Sequence, residues 1–189
     1  MNLPAGSAVL VPTYHCPTMV APIVAAGHTP VFYGLNDDGR PHLDAIDAIA
    51  VRPRAMFVAH YFGLASSLAP VKRWCELHDV HLVEDCAHSY FGMAGERPVG
   101  AWGDYAITSL SKFFPMPEGG MLASASNRLA PTRLKPTRWR QEIKAVWDVL
   151  HRAHDHGRMR GLSGAVGGML ALRRRTFAPA ELSQRSDHS

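Results

Sequence analysis

The sequence predicts a three-layer α/β domain with a mostly parallel sheet over residues 1–125, followed by a helical appendage over residues 126–189. Three observations carry that expectation. Short apolar runs of strand length alternate with stretches of helical periodicity. Polar clusters stand directly after three of those runs, where the carboxyl ends of parallel strands gather around a ligand. The charge then changes sign along the chain: residues 1–120 hold 7 Lys/Arg against 11 Asp/Glu, and residues 121–189 hold 13 against 5.

Each element has a local reason. Val9-Leu10-Val11 reads as a buried strand ended by Pro12, and Thr18 to Ala26 as a helix stopped by Gly27 with Pro30 beyond it. Pro30-Val31-Phe32-Tyr33 is a second strand, followed by the turn Asn36-Asp37-Asp38-Gly39. Leu43, Ile46 and Ile49 fall at helical spacing. Ala55 to Ala59 is a third strand, and Pro70 to His78 a helix with Val71, Trp74 and Leu77 on one face. Val80-His81-Leu82-Val83 is a fourth strand that delivers Glu84-Asp85 at its end. Tyr105-Ala106-Ile107 and Met121-Leu122-Ala123 bring the set to about six strands, a usual sheet size. Beyond Ser126, Pro131 and Pro136 predict an irregular connection, and an amphipathic helix follows with Ile143, Val146, Trp147 and Leu150 inward. Gly157 to Gly168 breaks it, Met169 to Arg174 suits a short helix, and Pro179 to Ser189 reads as disordered.

Composition excludes several classes. With 47% hydrophobic and 19% charged residues, the 189-residue chain is neither collagen-like, coiled-coil nor wholly disordered. Its apolar runs are far too short to span a bilayer, and Met1-Asn2-Leu3-Pro4 does not open a secretory signal. Cys16, Cys75 and Cys86 are spaced for neither a disulfide framework nor a zinc site, so a reducing, cytoplasmic setting is expected. The basic C-terminal third fits a solvated helical surface or an unordered end. No zinc-finger spacing or RNA-binding aromatic motif accompanies it, so a nucleic-acid partner is not favoured, and none is expected in a membrane.

Three strand-end segments can carry chemistry: Pro12 to Pro17, Glu84 to His88, and Thr108 to Lys112 ahead of Glu118-Gly119-Gly120. Asp85 ends an apolar strand, where an acid needs a cationic or hydrogen-bonding partner, although a strand-end Asp also caps the next helix. Lys112 is one of two lysines in the first 120 residues. Set between hydroxyls and a Gly-Gly turn, it suits an amine nucleophile, a phosphate contact or an ordinary surface lysine. His15 and His88 suit an acid, a base, a metal ligand, a ring stacked on a cofactor, or simple polar packing. Cys86 adjoins Asp85, which disfavours its thiolate and argues against a nucleophilic cysteine.

Taken in order, these segments resemble the large domain of DegT/StrS-type aminotransferases, which are fold-type I enzymes dependent on pyridoxal 5'-phosphate. The similarity runs from Val9-Leu10-Val11-Pro12 and Ala26-Gly27-His28-Thr29-Pro30 through Val58 to Gly63. It is strongest at Val83-Glu84-Asp85-Cys86-Ala87-His88 and Gly95 to Gly100. From there it extends through Gly103 to Ala106 and Ser109-Leu110-Ser111-Lys112 to Pro117-Glu118-Gly119-Gly120-Met121. The resemblance implies that Lys112 forms the Schiff base with the cofactor aldehyde and then moves protons on the substrate carbon. It implies that Asp85 pairs with the pyridine nitrogen, so that the ring acts as an electron sink. His88 matches the residue beside the ring hydroxyl, Ser109 or Ser111 the phosphate contact, and His15 (or Cys16, one residue on) the side chain stacked on the ring. An amino acid such as glutamate would donate the amine, a keto-sugar or related ketone would accept it, and the family's dimeric habit implies a homodimer for the complete protein.

The same resemblance exposes departures. Family members are longer at both ends, Phe113 stands where Asn is common, and the Gly-x-x-Ala-Leu turn of the phosphate cup has no match here. On sequence alone, then, the isolated 189-residue chain is expected to be a poor or inactive transaminase. The alternative is a non-catalytic remnant or an interaction subunit.

Overall fold

The computed structural model describes residues 1, 3–116, 118–130, 136, 138–158, 164, 167 and 168. By internal contacts the chain divides into two compact units, Met1–Arg133 and Leu134–Ser189.

In the first unit, β1 (Ala8–Pro12), α1 (Pro17–Ala25), β2 (Thr29–Tyr33), α2 (Leu43–Asp47) and β3 (Pro53–Ala59) follow in order. Then come α3 (Ala69–His78), β4 (His81–Asp85), a hairpin of β5 (Met93–Ala94) and β6 (Arg97–Pro98), β7 (Tyr105–Ser109) and β8 (Gly120–Ala123). Six strands form one sheet in the order β2-β1-β3-β4-β7-β8. All neighbours are parallel except β7 with β8, so the expected mostly parallel sheet is present.

Strand alternation builds the three layers. Val9, Val11 and Ala55 face Met19 and Ile23 of α1. Leu10, Met56, Val58 and Leu82 face the opposite way, against Ile46 of α2 and Val71, Trp74 and Cys75 of α3. Burying apolar side chains on both faces, at roughly 25 cal/mol per Å² removed from water, is what holds the layers. Gly27 ends α1 at φ +77°, a left-handed conformation that lets its amide reach the Val24 carbonyl and the His28 amide reach the Ile23 carbonyl. Asp79 ends α3 in the same conformation and pairs with Arg54 at 2.9 Å.

Two expectations about helix faces need correction. Leu77 is 77% exposed, because at 3.6 residues per turn the buried stripe of α3 runs through Val71, Trp74 and Cys75 and leaves Leu77 outside it. In the second unit, α4 (Trp139–Asp155) exposes Ile143 and Val146, while Trp147 and Leu150 are half-buried. An inward apolar face presupposes a covering layer, and among the described residues these two side chains are exposed. The expected irregular connection at Pro131, the short helix Met169 to Arg174 and the disorder of Pro179 to Ser189 lie outside the described residues. No described helix is long and apolar enough to cross a membrane.

Candidate active site

β1, β3, β4 and β7 are parallel neighbours, so their carboxyl ends share one edge of the sheet. The chain leaves β1 toward β2 on one side and returns to β3 on the other. The strand order therefore reverses beside β1, and the loops after β1 and β3 diverge into a crevice, the usual ligand position in open α/β sheets.

A cavity of about 230 Å³ occupies that edge, lined by Tyr14, His15, Cys16, Met19, Ala59, His60, Tyr61, Asp85, Ala87, His88 and Lys112. Of the residues singled out from sequence, it brings together His15, Cys16, Asp85, His88 and Lys112. Ser109 and Ser111 do not line it; their hydroxyls lie 3.3 Å apart, half-buried, at the junction that leads to Lys112.

The side chains are held in particular ways. Asp85 Oδ1 accepts the Ala87 amide at 2.9 Å, so the turn-capping role uses one oxygen; among the described residues Oδ2 accepts no hydrogen bond. Lys112 is exposed and pairs with no carboxylate among the described residues. It ends the short helical turn Leu110–Lys112. His15 Nδ1 lies 2.9 Å from the Pro12 carbonyl and 3.1 Å from that of Thr13, so this nitrogen carries the proton and donates. Its ring stacks on Phe32 with centroids 5.0 Å apart. Cys16 Sγ lies 2.8 Å from the Thr18 hydroxyl. Burial above all, with Glu84 and Asp85 nearby, pushes the Cys86 thiol up to about 12, which removes it as a nucleophile at neutral pH.

Several residues of this region carry no role in the sequence reading. Tyr61 donates its hydroxyl hydrogen to the Tyr14 carbonyl at 2.6 Å, tying the exit of β3 to the exit of β1. Burial first, then the Asp85 carboxylate and Tyr14, push its phenol up to about 12, so it stays a donor. Glu84, beside Asp85, is completely buried and accepts from His60 Nε2, itself buried, at 3.0 Å. Glu84 shares the face of Leu82, but β4 is buried on both faces, so alternation alone does not single it out. Phe62 sits at φ +56°, an outlier for a bulky side chain, and is 69% exposed beside Tyr14 and Tyr61. A second cavity of about 620 Å³ shares Tyr14, Ala59, His60 and Tyr61 with the first and extends over Asn36, Asp37, Asp38 and Arg40 to Phe62 and Ser66.

The sequence pattern of the DegT/DnrJ/EryC1/StrS aminotransferase family matches residues 1–167. GDP-perosamine synthase of Vibrio cholerae is 28% identical over 131 residues, which cover 67% of this chain and 36% of that protein. L-glutamine:scyllo-inosose aminotransferase of Streptomyces griseus is 30% identical over 128 residues, covering 64% of this chain and 29% of the relative. Among solved structures, the Escherichia coli GDP-4-keto-6-deoxy-D-mannose-3-dehydratase with bound hydrated PLP shares the fold at a TM-score of 0.56. It is 18% identical, and the match covers 65% of this chain and 32% of that one. The chain thus spans about a third of the length of the curated relatives it matches.

Proposed function

The chain belongs to the DegT/DnrJ/EryC1/StrS aminotransferase family, and from that premise we propose that it carries the cofactor-handling core of a pyridoxal-phosphate-dependent aminotransferase. The reaction would move an amino group from an amino acid such as glutamate to a keto-sugar or related ketone. The observation that carries the reading is a single cavity lined by Asp85, His88, Lys112 and His15, delivered by three strand-end segments, those after β1, β4 and β7.

The donor set fits the cofactor. When bound, pyridoxal phosphate supplies an electron sink that stabilises negative charge on the carbon bearing the amine. Asp85, with Oδ2 uncommitted, would hold a proton at the pyridine nitrogen. Lys112 Nζ, free of any ion pair among the described residues, would bind the cofactor's aldehyde carbon and then move a proton at the substrate carbon. His88 would orient the ring hydroxyl, and His15 or Cys16 would cover a ring face. Ser109 and Ser111 are candidates for the phosphate, a role that needs a hydroxyl to turn toward the cavity they do not now line. The adjoining cavity of about 620 Å³, with aromatic and polar walls, gives a ketone acceptor room next to the reacting groups. A homodimer and a cytoplasmic setting belong to the same reading.

Titrating the purified chain with pyridoxal phosphate tests it. An absorbance band in the near-ultraviolet to visible range is expected, lost in Lys112→Ala, with borohydride-fixed cofactor mapping to the Lys112 peptide. No band at saturating cofactor would favour the non-catalytic remnant instead.

A further inference from the structure

Glu84 and His60 take no part in the roles above, yet they form the most completely buried polar pair at the carboxyl edge of the sheet. The Glu84 carboxylate is 0% exposed and the His60 side chain 2%. A lone buried carboxylate is costly, so its partners matter. Here it has four. His60 Nε2 and the Gly100 amide each reach Oε2 at 3.0 Å, while the Trp102 and Gly103 amides donate to Oε1. Cys86 Sγ lies close enough to suggest a His-Glu-Cys metal site, all three ligand atoms falling within 4.8 Å of one another. Both Glu84 oxygens are, however, committed to N–H donors, three of them backbone amides that cannot ligate a cation. The cluster is a hydrogen-bond hub.

The position of the hub gives it a function. Glu84 precedes Asp85, and the two side chains point to opposite faces of β4. The His60 amide donates to the Asp85 carbonyl at 3.1 Å, so one residue grips Asp85 twice: directly through its backbone, and through its ring by way of Glu84. On the other side, the Cys86 amide donates to the Ile107 carbonyl of β7 at 2.8 Å. The segment Gly100 to Gly103, held by the same carboxylate, leads into β7, whose far end leads to Lys112.

We propose that Glu84 and His60 are a positioning pair that fixes Asp85, and the β7 strand leading to Lys112, in the stance the cofactor requires. The proposal rests on the reading of Asp85 as the acid facing the pyridine nitrogen. Removing the His60 ring donor leaves Glu84 with three backbone partners and loosens the ring-mediated half of the grip on Asp85.

The test titrates the full chain with pyridoxal phosphate, followed by absorbance across pH, and follows thermal melting by circular dichroism. Glu84→Gln keeps one acceptor oxygen but sets an NH2 against two of the four donors and is the variant most prone to unfold, so the His60 variants decide. His60→Leu is expected to melt cooperatively, to bind pyridoxal phosphate about tenfold more weakly, and to show a displaced pH profile of the cofactor band. His60→Gln, which restores a donor, is expected to recover both. A folded His60→Leu chain with the affinity and profile of the wild type overturns the proposal, as does a loss that His60→Gln fails to recover. If His60→Leu does not fold, His60→Asn, a shorter donor, replaces it: weakened binding supports the pair and unaltered binding overturns it. A wild-type chain with no cofactor response overturns the reading of Asp85 and this proposal together, an outcome distinct from a wild-type band that every variant reproduces.

Discussion

Lys72 and Asp104 join helix α3 to the entry of β7: Lys72 Nζ lies 2.8 Å from Asp104 Oδ1, while Asp104 Oδ2 accepts the Leu82 amide at 2.9 Å. Burial alone pushes this carboxyl up, but the Lys72 ammonium and the Leu82 amide together outweigh it and hold the group below the ordinary aspartate value. A carboxyl lowered by folding contributes stability that is complete above its unfolded pKa and is lost as pH falls through its folded pKa. Asp104→Ala is therefore expected to destabilise the chain by about 2 kcal/mol at neutral pH. The gap to wild type narrows below about pH 4. Urea unfolding of both chains at the two pH values measures it, and an undiminished gap in acid would count against the ion pair as the cause.

Asp85→Asn separates the two uses of that side chain. Asparagine Oδ1 can still accept the Ala87 amide, so the melting temperature should stay near that of wild type. If Asp85 faces the pyridine nitrogen as proposed, loss of its charge should weaken pyridoxal phosphate binding by about ten- to a hundredfold, the worth of one charge-assisted hydrogen bond. Absorbance titration alongside calorimetry checks both halves. A large fall in melting temperature would mean that the side chain serves the fold instead.

Gly103 is fixed by space. A Cβ there would lie 2.6 Å from the Tyr105 carbonyl oxygen and 3.0 Å from that of Leu82, both backbone atoms that cannot swing aside. Gly103→Ala is expected to cost about 2–3 kcal/mol and to disturb the Glu84 hub. Gly34, with nothing within 4 Å of its would-be Cβ, is the matched control. Gly34→Ala should leave the urea midpoint essentially unmoved.

The three cysteines should separate by accessibility. Cys16 is exposed in the cavity wall, whereas Cys75 and Cys86 are buried with thiols pushed up to about 12, in both cases chiefly by burial. A chromogenic thiol reagent at neutral pH should titrate one cysteine in the native chain and three after denaturation. Pyridoxal phosphate in the cavity should slow the native reaction. Two fast-reacting native thiols would contradict the burial of Cys75 or Cys86.

The middle of the sheet is legible in the sequence because β1, β3 and β4 are apolar runs that need cover on both faces. Val9-Leu10-Val11 reads as buried on both sides, and Met19 and Ile23 of α1 on one side with Ile46 of α2 and Val71 and Trp74 of α3 on the other supply that cover. The gathering of Asp85, His88 and Lys112 is legible for a related reason, since residues that follow parallel strands must emerge at one edge. Side-chain rotation is not legible. Spacing alone cannot say that the Ser109 and Ser111 hydroxyls face one another and not the cavity. Nor can it say which acid of the Glu84-Asp85 pair turns inward, since that depends on amides arriving from Gly100 to Gly103. The β5–β6 hairpin has strands of two residues, too short for any periodicity to register. It is held by long-range fits: Ser67 packed against Gly95, and the Trp102 indole donating to the Ala94 carbonyl at 2.7 Å.

β8 runs against its neighbour, and that reversal bears on Lys112. Ser109 pairs with Gly120 at the base of the connection, and the Leu110 amide donates to the Gly119 carbonyl at 2.9 Å, so the segment carrying the lysine is closed at both ends. A free loop of that length would spend entropy on each visit of its amine to the cavity. Pinned by an antiparallel partner, the loop has already met that cost in the folding of the sheet. The amine is thereby presented at a high effective molarity, tethered on a short leash whose anchor points belong to the rigid core.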